Sequence, residues 1–144
     1  MRRAGRSAAT ILDRLCSFIR PGMSTLEVDE AGGDLMKDLG VKSACKGYRS
    51  GHRIFPSYTC LSVNDEVVHG IGVKERILKD GDVISVDVCI REDGMIGDNC
   101  RTIGVGAVSP EIERLLKVTE ESLFKGMAQA LHKNRVGDVS QAVQ

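Results

Sequence analysis

Two aspartates in the stretch Val86–Cys100, VDVCIREDGMIGDNC, stand where the local pattern asks for strand-forming residues. Apolar runs flank an Asp93-Gly94 dipeptide, and each run carries one carboxylate, Asp87 in the first and Asp98 in the second. Val, Ile or Thr would suit a half-buried strand better, and an ionised carboxylate there is costly unless something positive pairs with it. If Asp93-Gly94 is a two-residue hairpin turn, then Glu92 faces Met95, Cys89 faces Asp98 and Asp87 faces Cys100. Residues 87 and 89 share a strand face, so both aspartates point the same way as diagonal neighbours, roughly 7 to 8 Å apart. Carboxylates so placed can converge on one divalent metal, or on a pair about 3.5 to 4 Å apart, a common hydrolytic arrangement. A three-residue loop would instead put them on opposite faces unless a bulge intervened.

The same residues admit two other readings. The aspartates can be solvated on an exposed sheet face and paired with Arg91 or Arg101. Alternatively, Asp87, Cys89, Asp98 and Cys100 form a quartet around a tetrahedral zinc, although thiols at strand positions more often serve as small buried hydrophobes.

The elements that must position this hairpin are legible along the chain. A first helix runs from about Ala4 to Ile19, with Ile11, Leu12, Leu15, Cys16 and Ile19 as its apolar stripe, and stops at Pro21-Gly22. Ser24-Thr25-Leu26-Glu27 has the spacing of a capping box, so a second helix starts at Ser24 and ends near Gly40, despite Gly32-Gly33 inside it. Residues 43–58 read as a loop or ragged strand region, and Thr59–Val68 as a strand interrupted by Asn64-Asp65-Glu66. Lys79–Asp82 is a turn, and strands cover Val83–Ile90 and Met95–Val105. Ser109-Pro110 opens a helix expected to reach His132. Asp138 reads as the N-cap of a last helix, with Val139, Ala142 and Val143 starting an apolar face that the sequence leaves incomplete.

Composition sets the outer bounds. The expectation is one incomplete domain spanning residues 1–144, an α+β unit with an antiparallel sheet and helices on one face. Twenty Lys+Arg balance twenty Asp+Glu, so no net field favours nucleic acid or an acidic membrane. No run approaches the roughly 18 to 20 apolar residues of a membrane span. Five cysteines with no C-x-x-C pair point to reduced thiols in a cytoplasm. The Arg-rich start, MRRAGRSAATILDRL, suits the solvent face of the first helix better than a transit peptide.

The segments Ser62–Ile71 (SVNDEVVHGI), Leu78–Val88 (LKDGDVISVDV) and Gly94–Asp98 (GMIGD) closely resemble type I methionine aminopeptidases in order and spacing, and Met1–Arg6, Pro21-Gly22, Cys45–Tyr48 and Gly137–Gln144 also look like the family. The resemblance covers nearly the whole chain and implies one half, the N-terminal one, of a pita-bread fold, whose two pseudo-symmetric halves enclose a dinuclear metal site. By match, Asp87 would chelate one metal and Asp98 would bridge both. His69 would contact substrate as a catalytic residue without ligating metal, while Cys45, Tyr48, Phe55 and Cys60 would line the pocket for the methionine side chain. Segment 49–54 is longer than the family's usual spacing, which bears on where Tyr48 stands, and Cys89 and Cys100 replace small hydroxyl residues.

The implied reaction is metal-assisted removal of the initiator methionine from nascent polypeptides with a small second residue, using two divalent ions (Co, Mn, Fe or Zn), with ribosome association. The family takes a histidine and two glutamates from its second half, so the 144 residues alone are expected to be inactive. Two alternatives share the fold: a half-domain that binds or dimerises through its exposed half-sheet, and a relative of the proline-specific aminopeptidases, which Asp98–Thr102 faintly resembles.

Overall fold

In chain order the elements are α1 (Arg2–Phe18), α2 (Thr25–Asp38), the two-residue strands β1 (Lys42–Ser43), β2 (Arg49–Ser50) and β3 (Arg53–Ile54), β4 (Cys60–Val63), the long strands β5 (Val83–Glu92) and β6 (Met95–Gly104), then α3 (Pro110–Ala128) and α4 (Val136–Val143). The computed structural model describes residues 1–144. They divide into two compact units, residues 1–108 and 109–144.

β5 is the spine of the first unit. One of its edges pairs with β6 over its whole length, and the other is shared end to end by β4 and β1. Every pairing is antiparallel. Along β5 the residues alternate between buried and half-buried, as a strand covered on one side should. Ile84, Val86, Val88 and Ile90 face the core and are fully buried. α1 lies across β5 and β6 on that side, presenting Ala4, Ala8, Ile11, Leu12 and Leu15, so its arginines form the outer face. Gly97 lets it approach: a Cβ there would sit 2.2 Å from the Ala4 carbonyl oxygen.

α2 begins at the expected capping box, with Ser24 N–H donating to Glu27 Oε2 at 2.7 Å and Glu27 N–H donating to Ser24 Oγ at 3.2 Å. The Gly32-Gly33 pair is tolerated because it serves packing. A Cβ on Gly33 would meet the Tyr58 ring at 2.7 Å, and one on Gly32 would meet Thr59 Cγ2 at 3.0 Å.

Three boundaries differ from the sequence expectation. The strand expected over 59–68 is β4 alone, because the chain turns out of the sheet at Asn64 (φ 55). That residue's amide donates to Asp82 Oδ1 at 3.0 Å and its carbonyl accepts from the Val83 N–H at 2.9 Å, an 18- and 19-residue reach that no local pattern shows. In the second unit α3 stops at Ala128, four residues before His132. α4 starts at Val136, ahead of Asp138, which serves as its third residue and accepts from the Arg135 N–H at 2.7 Å. Within that unit Gly126 gives α4 room: a Cβ there would meet Val143 at 2.7 Å. No helix is long and apolar enough to cross a membrane.

Candidate metal centre

The hairpin forms with the two-residue turn. Asp93 (φ 48) and Gly94 (φ 75) are both left-handed, the backbone of a type I′ connection whose twist matches the strands it joins. Glu92 pairs with Met95, Cys89 with Asp98 and Asp87 with Cys100. The face of β5 turned away from α1 therefore carries Ser85, Asp87 and Cys89, and β6 adds Asp98, Cys100 and Thr102. Ser85 Oγ and Thr102 Oγ1 are 2.8 Å apart across the pair, and Cys60 of β4 lies opposite Asp87 on its other side. Asp87 is thus in the middle of the sheet and half-buried, whereas Asp98, on the edge strand, is exposed.

The site is electrostatically strained. Asp87 Oδ1 is buried without a hydrogen-bond partner, an uncommon and costly condition for a carboxylate. Burial, then the charge of Asp98 and the hydrogen bond the two carboxyls share, hold the Asp87 carboxyl above the usual carboxylate range, and His69 partly offsets this. An orphaned oxygen beside a second carboxylate is a donor set that fits a divalent cation: the cation supplies the missing partner and cancels the repulsion. Only the pair is present, since no group of three or more His, Cys, Asp or Glu side chains is arranged to hold a metal ion. The tetrahedral zinc quartet is therefore not formed. Desolvation first, with the charges of the two aspartates adding to it, pushes the Cys89 and Cys100 thiols up in the metal-free chain. Arg101, one of the cations considered for the aspartates, reaches Asp13 on α1 at 2.8 Å.

Of the other sequence candidates, some converge here. Cys45 and Cys60 share a hydrogen bond that pulls the Cys45 thiol down and pushes the Cys60 thiol up, and both interact electrostatically with Asp87. They meet because Cys45 follows β1 and Cys60 opens β4, and those two strands occupy successive stretches of the same β5 edge. His69 is exposed, left-handed (φ 61), and within electrostatic reach of Asp87. Phe55 is partly buried, and its backbone bonds tie it to Gly47 and Tyr48 at 2.8 and 2.9 Å. Tyr48 is 65% exposed at the base of the β2–β3 hairpin, which is built by the long 49–54 segment; no contact links its ring to the aspartates.

Sequence reasoning passed over Asp29. This buried carboxylate on α2 accepts from the Tyr58 N–H at 3.1 Å, the Thr59 N–H at 2.8 Å and Thr59 Oγ1 at 2.8 Å. It thereby anchors the chain immediately before Cys60. An acid adjoining Val28 on the inward side of an amphipathic helix was the available signal.

The family model for metallopeptidase family M24 matches residues 1–144, and the chain belongs to that family. It is 40% identical over 144 residues to a methionine aminopeptidase of Clostridium acetobutylicum, a match covering 100% of this chain and 56% of that protein. Identity to methionine aminopeptidase 1 of Bacillus subtilis is 42% over 144 residues, again 100% of this chain and 56% of the relative. The chain thus spans about half the length of the curated relatives it matches. Among solved structures, methionine aminopeptidase from Thermotoga maritima superposes with a TM-score of 0.90 at 37% identity, over 100% of this chain and 56% of that one. Pseudomonas aeruginosa aminopeptidase PepP shares the fold at 18% identity, with a TM-score of 0.80 over 99% of this chain and 30% of its own. The fold is accordingly one half of the α+β pita-bread architecture expected from the sequence.

Proposed function

We propose that this chain supplies the aspartate pair and the substrate-facing histidine of a metal-dependent methionine aminopeptidase, which removes the initiator methionine from nascent polypeptides whose second residue is small. The observation that carries the reading is the partnerless, buried Asp87 Oδ1 on the same sheet face as Asp98. Asp87 would hold one divalent ion and Asp98, from the edge strand, would reach two; Co, Mn, Fe and Zn all suit such oxygen donors. When bound, the metal polarises the scissile carbonyl and lowers the pKa of water. His69 would donate a hydrogen bond to the scissile amide. Cys45, Cys60 and Phe55 would wall the methionine thioether, to which sulfur and aromatic groups are well matched, with Tyr48 joining them only by turning inward from its exposed position.

With no third ligand beside the pair, we expect these 144 residues alone to bind metal weakly and to turn over no substrate. The reading places the protein in the cytoplasm, acting near the ribosome, without nucleic acid or membrane. Two measurements test it. Mn(II) or Co(II) binding by calorimetry should be detectable in the native chain and lost in the Asp87→Asn/Asp98→Asn double variant; equal binding in both removes the basis of the reading. A Met-Ala-Ser peptide should stay intact with this chain and metal, with a chelator control, and release methionine once the missing ligands are supplied in trans.

A second reading, a non-catalytic half-domain that self-associates, is favoured by apolar side chains left open on α3, such as Leu115 at 64% and Phe124 at 59% exposure. A monomer in sedimentation at micromolar concentration counts against it.

A further inference from the structure

His69 and Gly70 end a loop whose return to the sheet is fastened from β4. Ser62 is 4% exposed, and its Oγ accepts a hydrogen bond from the Gly70 N–H at 3.1 Å. One residue earlier in β4, the Leu61 N–H donates to the Gly70 carbonyl at 2.9 Å. Both backbone polar groups of Gly70 are therefore gripped by neighbouring residues of one strand. The approach is so close that a Cβ on Gly70 would lie 2.1 Å from the Leu61 carbonyl oxygen and 2.8 Å from Ser62 Cα. Only glycine fits.

The residue before this grip is His69, in the left-handed region at φ 61. A residue with a side chain holds that conformation when its surroundings over-determine it. The loop is tied at its start, where Asn64 bonds Asp82 and Val83, Glu66 accepts from the Val63 N–H at 3.0 Å and Arg76 pairs with Glu66. Val67 and Val68, next to His69, are however 86% and 61% exposed. The fastening adjacent to His69 is the attachment of Gly70. Its location matters: Ser62 pairs with Ser85, and Cys60, two residues earlier on the same strand face, pairs with Asp87. The loop thus comes back to the sheet at the margin of the aspartate site, where His69 acts electrostatically on Asp87.

We propose that Ser62 is a positioning residue: its hydroxyl, with the Leu61 amide, clasps Gly70 against β4, and this clasp holds His69 left-handed with its imidazole toward Asp87. The proposal rests on the reading that His69 serves the Asp87–Asp98 site, and it assigns the site a support that lies outside the ligand and substrate residues. The hydroxyl does what no apolar residue of similar size can do here, because it accepts from a buried backbone N–H that would otherwise be unpaired.

The test follows the imidazole Cε1–Hε1 signals of the three histidines by NMR in the metal-free chain. In the native background, Asp87→Asn should shift the His69 signal and leave His52 and His132 in place. Ser62→Ala should abolish that response, and Ser62→Thr, which keeps the hydroxyl, should restore it. A His69 signal that still responds to Asp87→Asn in the Ser62→Ala chain overturns the clasp and leaves the site reading standing. A His69 signal that ignores Asp87→Asn in the native background overturns the site reading and the clasp with it. Should Ser62→Ala not fold, amide exchange in the native chain decides: the Gly70 N–H should exchange about a hundredfold more slowly than those of Val68 and His69, and equal rates refute the clasp.

Discussion

Replacing Gly97 by alanine should destabilise the chain severely, while the same replacement at Gly5, across the same contact, should stabilise it. Gly97 pairs with Ile90 on the core face of β6, and the first turn of α1 rests directly on it. An added Cβ would lie 2.2 Å from the Ala4 carbonyl oxygen, 2.4 Å from its carbon and 2.9 Å from the Gly5 nitrogen. All three are backbone atoms, so no rotamer change relieves the overlap. Carbon prefers neighbours at about 3.5 Å or more, so the helix end must move by roughly 1 Å. That shift pulls Ala4 and Ala8, both essentially fully buried, off the sheet, and stretches the 3.2 Å bond from Asn99 Nδ2 to the Gly5 carbonyl.

Overpacking of this kind costs about 2 to 3 kcal/mol, which for a chain of this size is a Tm drop of about 10 °C. Gly5 has nothing within 4 Å of its would-be Cβ and lies inside α1. There alanine gains about 0.5 to 1 kcal/mol by restricting the unfolded chain and favouring helix. Urea unfolding followed by circular dichroism measures both. A Gly97→Ala chain within about 0.5 kcal/mol of native, or Gly5→Ala and Gly97→Ala shifts of the same sign, would refute the account of how α1 seats on β6.

Three further outcomes follow from the site. Because burial and Asp98 hold the Asp87 carboxyl above its unfolded range, the folded chain retains that proton longer than the unfolded one; the stability this gives is full in acid and lost as pH rises through the folded pKa. Asp87→Asn should therefore stabilise the chelator-treated protein at neutral pH, by about 1 kcal/mol, with the gain shrinking toward acid; a gain that grows toward acid contradicts it. Removing Asp29 as Asp29→Ala strips three donors of their acceptor and should cost about 2 to 4 kcal/mol in urea unfolding, so a loss under 1 kcal/mol would count against its anchoring role. Iodoacetamide at pH 7.5 should alkylate Cys45 well ahead of Cys60, since their shared hydrogen bond favours the Cys45 thiolate and disfavours that of Cys60; peptide mapping showing the reverse order would mean the bond is misassigned.

What the sequence disclosed, and what it concealed, separates by range. The aspartate pair was legible because a two-residue Asp-Gly turn fixes its register locally, and a strand's period of two then puts both carboxylates on one face. The Ser24–Glu27 box was legible for the same reason, its two bonds spanning three residues. Val67 and Val68 misled because β-propensity reads them as strand, while Asn64 leaves the sheet to bind Asp82 and Val83 far along the chain. The Gly32-Gly33 pair looked like a helix breaker only because the Tyr58 ring it accommodates comes from another element.

Gly97-Asp98 joins both cases. Its aspartate could be read as a ligand from the hairpin alone, but its glycine is explained only by a helix that begins more than ninety residues earlier. The motif thus sets two adjacent features on opposite faces of one strand: room for α1 on the core side, and on the other the carboxylate we propose as a metal ligand. If that is right, structure and metal binding can be separated at neighbouring positions. Asp98→Asn should weaken Mn(II) binding by tenfold or more, about 1.4 kcal/mol, without loss of stability, whereas Gly97→Ala should lower stability first and metal binding only through it. A stability loss of 2 kcal/mol or so from Asp98→Asn in the metal-free chain would mean that the exposed carboxylate holds the fold together, and the division of labour across β6 would fail.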